Sequence, residues 1–161
     1  MKKLTENEKY MKIALKEAKK AYDLDEVPIG AVIVKDGVVL AKAKNLRNKT
    51  KCATSHAEVL AINKACKKLG DWRLEGAKMY VTLEPCPMCA GAALSARVKR
   101  IVYGASDKNC GALGTVVDLN EHYPLHKAEV ERGFMEKECA DMLTDFFRDL
   151  RKKRKETKTD D

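Results

Sequence analysis

At 161 residues the chain is sized for one domain around one core. Its hydrophobic fraction of 45% is ordinary for a globular protein, and no apolar run is long enough to cross a bilayer, which excludes a helical membrane protein. The net charge of +8 points to an anionic partner.

The start, Met1-Lys2-Lys3-Leu4-Thr5-Glu6, carries no signal-peptide core, so a cytoplasmic protein is expected. Thr5 and Glu8 make a capping box. Met11, Ala14, Leu15, Ala18, Ala21 and Tyr22 follow at helical spacing and predict a helix from about Glu6 to Leu24. Ala31-Val32-Ile33-Val34 and Val38-Val39-Leu40 flank Lys35-Asp36-Gly37 and read as a hairpin with an Asp-Gly turn. Ser55 and Glu58 make a second capping box, heading a helix that stops before Gly70. Lys78-Met79-Tyr80-Val81-Thr82-Leu83 is a third strand broken by Pro85, and Pro87 suits the first turn of a third helix. Lys99 to Tyr103 is a fourth strand ended by Gly104, Gly111-Ala112-Leu113-Gly114 is loop, and Lys127 to Arg132 gives a short fifth strand. The last helix is predicted over about Phe134 to Lys153, with Met135, Cys139, Met142, Phe146 and Leu150 on one stripe. Its end, Arg148-Asp149-Leu150-Arg151-Lys152-Lys153-Arg154-Lys155, reads equally as a solvated helix terminus and as a nucleic-acid surface. Residues 157–161 are expected as a disordered tail, leaving 1–156 as a single domain. The order α-β-β-α-β-α-β-β-α implies an α/β sandwich, a sheet between helical layers.

His56-Ala57-Glu58 and, downstream, Pro85-Cys86-Pro87-Met88-Cys89 carry the chemistry. His56, Cys86 and Cys89 fill three corners of a tetrahedral zinc site, and a fourth corner left to water marks catalytic rather than structural zinc. Glu58 is read as the proton carrier, not a ligand. His-x-Glu followed by Pro-Cys-x-x-Cys is the signature of zinc-dependent nucleobase deaminases. Either half alone is weak: a lone Cys-x-x-Cys is more often redox or structural, and a lone His-x-Glu means nothing. A structural site would need another ligand, for which the sequence offers Cys52, Cys110, His122 and His126. Otherwise Cys52, Cys66, Cys110 and Cys139 are expected as small, partly buried apolar residues, because a reducing compartment disfavours disulfides.

The predicted layout sets both motifs at helix N-termini, whose positive dipole ends lower thiol pKa values and draw charge off the sulfurs. Residues i and i+2 lie about 200° apart around a helix. His56 and Glu58 can therefore converge on one metal only from the helix end. The expected chemistry is hydrolytic deamination with one zinc per chain. Glu58 takes a proton from the activated water, passes it to a ring nitrogen, and delivers a proton to departing ammonia.

Around these motifs the chain resembles the bacterial tRNA-specific adenosine deaminases, within the cytidine deaminase-like superfamily. The likeness covers nearly the whole chain. It rests on Val27-Pro28-Ile29-Gly30-Ala31-Val32, on His56-Ala57-Glu58, on Trp72-Arg73-Leu74-Glu75-Gly76-Ala77, on Val81-Thr82-Leu83-Glu84-Pro85-Cys86-Pro87-Met88-Cys89-Ala90-Gly91-Ala92 and on Asp145-Phe146-Phe147-Arg148. The resemblance implies a three-layer α-β-α sandwich with a central five-stranded mixed sheet, and a homodimer. It also implies binding of a tRNA anticodon stem-loop, with the wobble adenosine of an arginine tRNA converted to inosine. Asn45 matches the asparagine that hydrogen-bonds the flipped base, and Asp107 an acidic loop residue near the substrate backbone. Phe147 and Arg148 carry over as substrate-binding residues of the final helix. The plainer readings are a turn residue for Asn45, a solvated loop acid for Asp107, and core packing for Phe146 or Phe147. Three departures bear on RNA contact: Cys52-Ala53 where the family often has Asp-Pro, Asn109 where it often has lysine, and Leu125 where it often has asparagine.

Two rivals remain at this level. A deaminase of a free nucleobase such as guanine or cytosine would share the zinc motifs, but has no use for a basic final helix beside an aromatic pair, which suits stacking on exposed RNA bases. A zinc-stabilised binding module would have no use for Glu58.

Overall fold

The computed structural model describes residues 2–159. Helix α1 (Glu6–Asp23) starts on the expected capping box: Thr5 Oγ1 accepts from the Glu8 amide at 3.2 Å, and Glu8 Oε2 accepts from the Thr5 amide at 2.9 Å. Its buried stripe of Tyr10, Met11, Ala14, Ala18 and Ala21 follows the helical period. Strands β1 (Gly30–Lys35) and β2 (Val38–Lys44) form the expected hairpin. Asp36 and Gly37 both have positive φ, 50° and 74°, as a two-residue type I′ turn requires.

The next segment departs from expectation. A short helix α2 (Arg47–Thr50) precedes α3 (Ala57–Leu69). It is braced from a distance: the buried Glu26 carboxylate accepts from the Asn48 and Lys49 amides at 3.2 and 2.5 Å. The N-cap of α3 is His56 rather than Ser55, and it makes no side-chain cap bond. The Ser55 hydroxyl turns instead to the Thr50 hydroxyl at 2.9 Å, so the second capping box does not form.

Strand β3 (Lys78–Leu83) leads into α4 (Pro87–Ser95), which has Pro87 in its first turn and Cys86 as its N-cap. Strand β4 (Arg100–Ala105) runs through Gly104 rather than stopping there. A Cβ at Gly104 would lie 2.8 Å from the Thr82 carbonyl oxygen and 2.9 Å from Cys139 Cβ, so the glycine admits the last helix rather than ending the strand. A second short helix, α5 (Leu119–His122), is also additional to the expected elements, and β5 (Glu129–Glu131) is shorter than expected. Helix α6 (Glu136–Thr159) starts later than expected and runs further. It takes in residues 157–159 of the expected tail, while 160 and 161 lie outside the described residues. Cys139 and Phe146 of the predicted stripe are buried, Met142 and Leu150 half-buried, and Met135 precedes the helix with φ 53°.

The sheet has the order β2-β1-β3-β4-β5. Strand β1 is antiparallel to β2 and β3, whereas β3, β4 and β5 run parallel, so the sheet is mixed. Side chains alternate between its faces. Val32, Val34, Tyr80 and Val102 pack with Tyr10 and Met11 of α1 and Cys139 of α6. Ile33, Met79, Val81 and Ile101 pack on the other face with Ala57 and Ala61 of α3 and Ala90 and Leu94 of α4. This is the expected three-layer sandwich. Among the described residues, no helix is long and apolar enough to cross a membrane. The start of β1, the end of β2 and the C-terminal ends of β3 and β4 all meet at one end of the sheet. In open α/β sheets that is where ligands bind.

Candidate active site

A cavity of about 510 Å³ opens at that end, lined by both motifs and by segments following β2, β3 and β4. His56 and Glu58 come from the head of α3, Cys86 and Cys89 from the head of α4. His56 Nδ1 lies 3.7 Å from Cys86 Sγ and 3.5 Å from Cys89 Sγ. Ligands of a tetrahedral zinc with ordinary Zn–N and Zn–S bonds are spaced about 3.5–3.8 Å apart, so the three atoms fit that ion. No fourth His, Cys, Asp or Glu ligand atom joins the group among the described residues. Of the alternatives, Cys110 Sγ donates to Asp107 Oδ2 at 3.2 Å, His126 Nε2 sits 2.8 Å from the Val98 carbonyl oxygen, and Cys52 and His122 are exposed.

The thiol of Cys89, facing Cys86, holds Cys86 down to about 5, and the same contact together with burial pushes Cys89 up. A cation in the triangle can take the place of the Cys89 thiol proton, because the metal ligand is the thiolate. His56 at the N-cap stands outside the helical spiral, which removes the i, i+2 objection to its convergence with Glu58. Glu58 is only 4% exposed, and burial pushes its carboxyl up. Its Oε1 is buried without a hydrogen-bond partner in the protein. A buried carboxylate oxygen left unpaired beside a metal-type cluster is a costly arrangement for folding and a usable one for proton transfer.

Asn45 is buried on the cavity wall just after β2. Its Nδ2 donates to the Val27 carbonyl at 3.2 Å, and its Oδ1 accepts from the Arg47 amide at 3.1 Å. It is thus both a turn-former and a cavity residue. Asp107 lines the same cavity, and its Oδ1 accepts from the Asn109 and Cys110 amides at 2.9 and 3.2 Å, shaping the loop tip. Phe147 lines the cavity at 42% exposure, while its neighbour Phe146 is the core member of the pair. Arg148 does not line it; its guanidinium pairs with Asp145 at 3.2 Å and Asp149 at 3.8 Å. Sequence reasoning does not single out Arg47 at the head of α2, Lys108 in the loop after β4 or Leu143 on α6, which also line the cavity, because only tertiary packing brings these three segments together. Cys66 and Cys139 are partly or wholly buried as expected, but Cys52 and Cys110 are exposed, because both sit in loops rather than in packed elements.

Comparison with known proteins sets the class first: a family described as MafB19-like deaminase matches residues 5–151. The tRNA-specific adenosine deaminase of Bacillus subtilis (strain 168) is 55% identical over 153 residues, covering 94% of this chain and 95% of that protein. A solved structure from work on A-to-I editing by tRNA:A34 deaminases at the wobble position of transfer RNA superposes with a TM-score of 0.78. It is 43% identical and covers 83% of this chain and 98% of its own. Guanine deaminase from Bacillus subtilis superposes with a TM-score of 0.60 at 41% identity, over 64% of this chain and 66% of its own. The chain belongs to the tRNA-specific adenosine deaminase family.

Proposed function

We propose that this protein hydrolyses the wobble adenosine of a tRNA anticodon to inosine, releasing ammonia, with one zinc held by His56, Cys86 and Cys89. The observation that carries the reading is Glu58 Oε1, buried and unpaired beside the three ligand atoms, within a cavity wide enough for a purine. Bound there, zinc supplies the Lewis acidity that brings the pKa of a water to about 7. Glu58 takes one proton of the attacking water at its carboxylate and hands it to N1 of the purine as the oxygen bonds to C6. It then takes the remaining proton of the new C6 hydroxyl and delivers it to the amine as the C6–N6 bond breaks, leaving the C6 carbonyl of inosine and ammonia. Asn45 in the cavity wall orients the base, Phe147 offers an exposed ring for stacking, and Asp107 in the loop and Arg148 on α6, outside the cavity, serve the flanking nucleotides. The substrate is the arginine tRNA that the resemblance implies, and the working form is a cytoplasmic homodimer.

The guanine deaminase likeness favours the free-base reading as the competitor. Purified protein given an anticodon stem-loop with adenosine at the wobble position should release ammonia from it, and should leave free adenine, guanine and cytosine untouched. Turnover of a free base with the stem-loop inert would replace the proposal. X-ray absorption tests the metal: two sulfurs, one nitrogen and one oxygen around zinc are expected, and a fourth protein ligand without oxygen would reject the catalytic assignment.

A further inference from the structure

Glu84 is the first residue after β3 and is 2% exposed. Its amide continues the sheet ladder, donating to the Ala105 carbonyl at 2.8 Å. Its side chain has no part in the metal cluster, yet donors from one loop converge on it. Oε1 accepts from the Asp107 amide at 3.2 Å and from the Thr115 hydroxyl. Oε2 accepts from the Leu113 amide at 3.0 Å and the Thr115 amide at 3.2 Å. The loop crosses directly over the carboxylate at Gly111, where a Cβ would lie 2.5 Å from Glu84 Cδ and Oε1 and 2.6 Å from the Asp107 carbonyl oxygen. Between these anchors the same loop presents Asp107, Lys108, Asn109 and Cys110 to the cavity.

We infer that Glu84 is a positioning residue for the RNA: it ties both ends of the 107–115 loop to the strand that leads to Cys86, so the cavity wall is in place before substrate arrives. A buried carboxylate is the acceptor this geometry asks for, since all four groups facing it are donors. A preset loop spares the substrate the ordering cost that binding would otherwise carry. The effect therefore belongs on substrate binding rather than on the chemical step. The inference rests on the RNA-deaminase reading for its kinetic part only.

The test uses full-length, zinc-loaded Glu84→Gln, which puts an amide NH₂ where acceptors are needed, and Thr115→Val, which removes one hydroxyl donor from an exposed loop position. Glu84→Gln should raise KM for the stem-loop about tenfold or more with kcat nearly unchanged. Hydrogen exchange should quicken over 107–115 and not in α1 or α6. Thr115→Val should shift both readouts the same way by a smaller factor, and Glu84→Asp should fall between wild type and Glu84→Gln. Unchanged KM and unchanged loop exchange in Glu84→Gln would overturn the inference. So would a lowered kcat at constant KM with exchange quickened throughout, the mark of a general structural defect. Should Glu84→Gln fail to fold, Thr115→Val decides alone: wild-type KM and exchange would overturn the inference. The exchange measurement needs no substrate, so an inert stem-loop with a loosened loop would fault the proposed function and not the anchoring role.

Discussion

At the scale of single residues the site is defined by a group without a partner. Most buried polar atoms in a folded protein have partners, and the orphan Oε1 of Glu58 is the observation on which the proposed proton-carrier role rests. Replacing Glu58 by the near-isosteric glutamine should lower single-turnover deamination by about 10²–10⁴-fold. Zinc content and thermal midpoint should stay close to wild type, since the change removes neither a ligand nor packed volume. Near-wild-type turnover in Glu58→Gln would contradict the proton-carrier role. Cys52 offers a second test, away from the cluster. It is exposed, and its contact with the Thr54 hydroxyl lowers its thiol to about 7, whereas burial raises Cys66, Cys110 and Cys139. The thiolate is the reactive form and its share grows as pH rises through the pKa. In the zinc-loaded protein, alkylation of Cys52 should therefore be half-maximal at about pH 7 and outrun that of Cys66, Cys110 and Cys139 at neutral pH. A midpoint at the ordinary cysteine value of about 8.5 would show that the Thr54 contact does not persist in solution.

At the scale of elements, small residues decide how closely the layers approach. A Cβ on Gly30 would overlap the Ala14 carbonyl oxygen of α1, while one on Gly91 in α4 meets nothing within 4 Å. Gly30→Ala should cost about 3 kcal/mol in denaturant unfolding by forcing α1 off the sheet. Gly91→Ala should be neutral or stabilise by up to about 1 kcal/mol through helix propensity. Equal effects would mean that α1 packs more loosely on β1 than described. Elements specified by adjacent residues are legible in the sequence: the Thr5–Glu8 cap, the Asp36-Gly37 turn, Pro87 in its first helical turn. Elements specified from a distance are not. Helix α2 depends on Glu26, more than twenty residues earlier, and nothing in Arg47–Thr50 alone announces it. The Ser55–Glu58 pattern has the right spacing for a capping box, but Thr50 captures the serine hydroxyl and His56 takes the cap. Gly104 reads as a strand breaker because its reason, Cys139 lying above it, is a contact of tertiary packing. The site divides in the same way. The sequence motifs name the metal-type residues outright, while the Glu84 anchor is visible only once the loop is seen folded over it.

At the scale of the whole molecule, one end of the sheet carries the cavity and a long basic helix leads away from it. Part of that charge is already used: Lys153 pairs with Asp25 at 2.6 Å. Arg151, Lys152 and Arg154 are the better probes of an RNA footprint, all of them exposed on α6. Neutralising them together should weaken stem-loop binding and flatten its salt dependence by about 0.7 in log–log slope for each phosphate that is no longer neutralised. Turnover at saturating RNA should change little, because none of them lines the cavity. An unchanged slope would move the footprint to another face. The central claim, hydrolytic deamination of a tRNA wobble adenosine, is tested most directly by incubating the zinc-loaded protein with unmodified tRNA in heavy-oxygen water and digesting the product for nucleoside mass spectrometry. The account predicts inosine carrying the heavy oxygen, confined to the anticodon fragment and formed at least about a hundredfold more slowly with Glu58→Gln. A tRNA that stays free of inosine while the same preparation deaminates free guanine would contradict it.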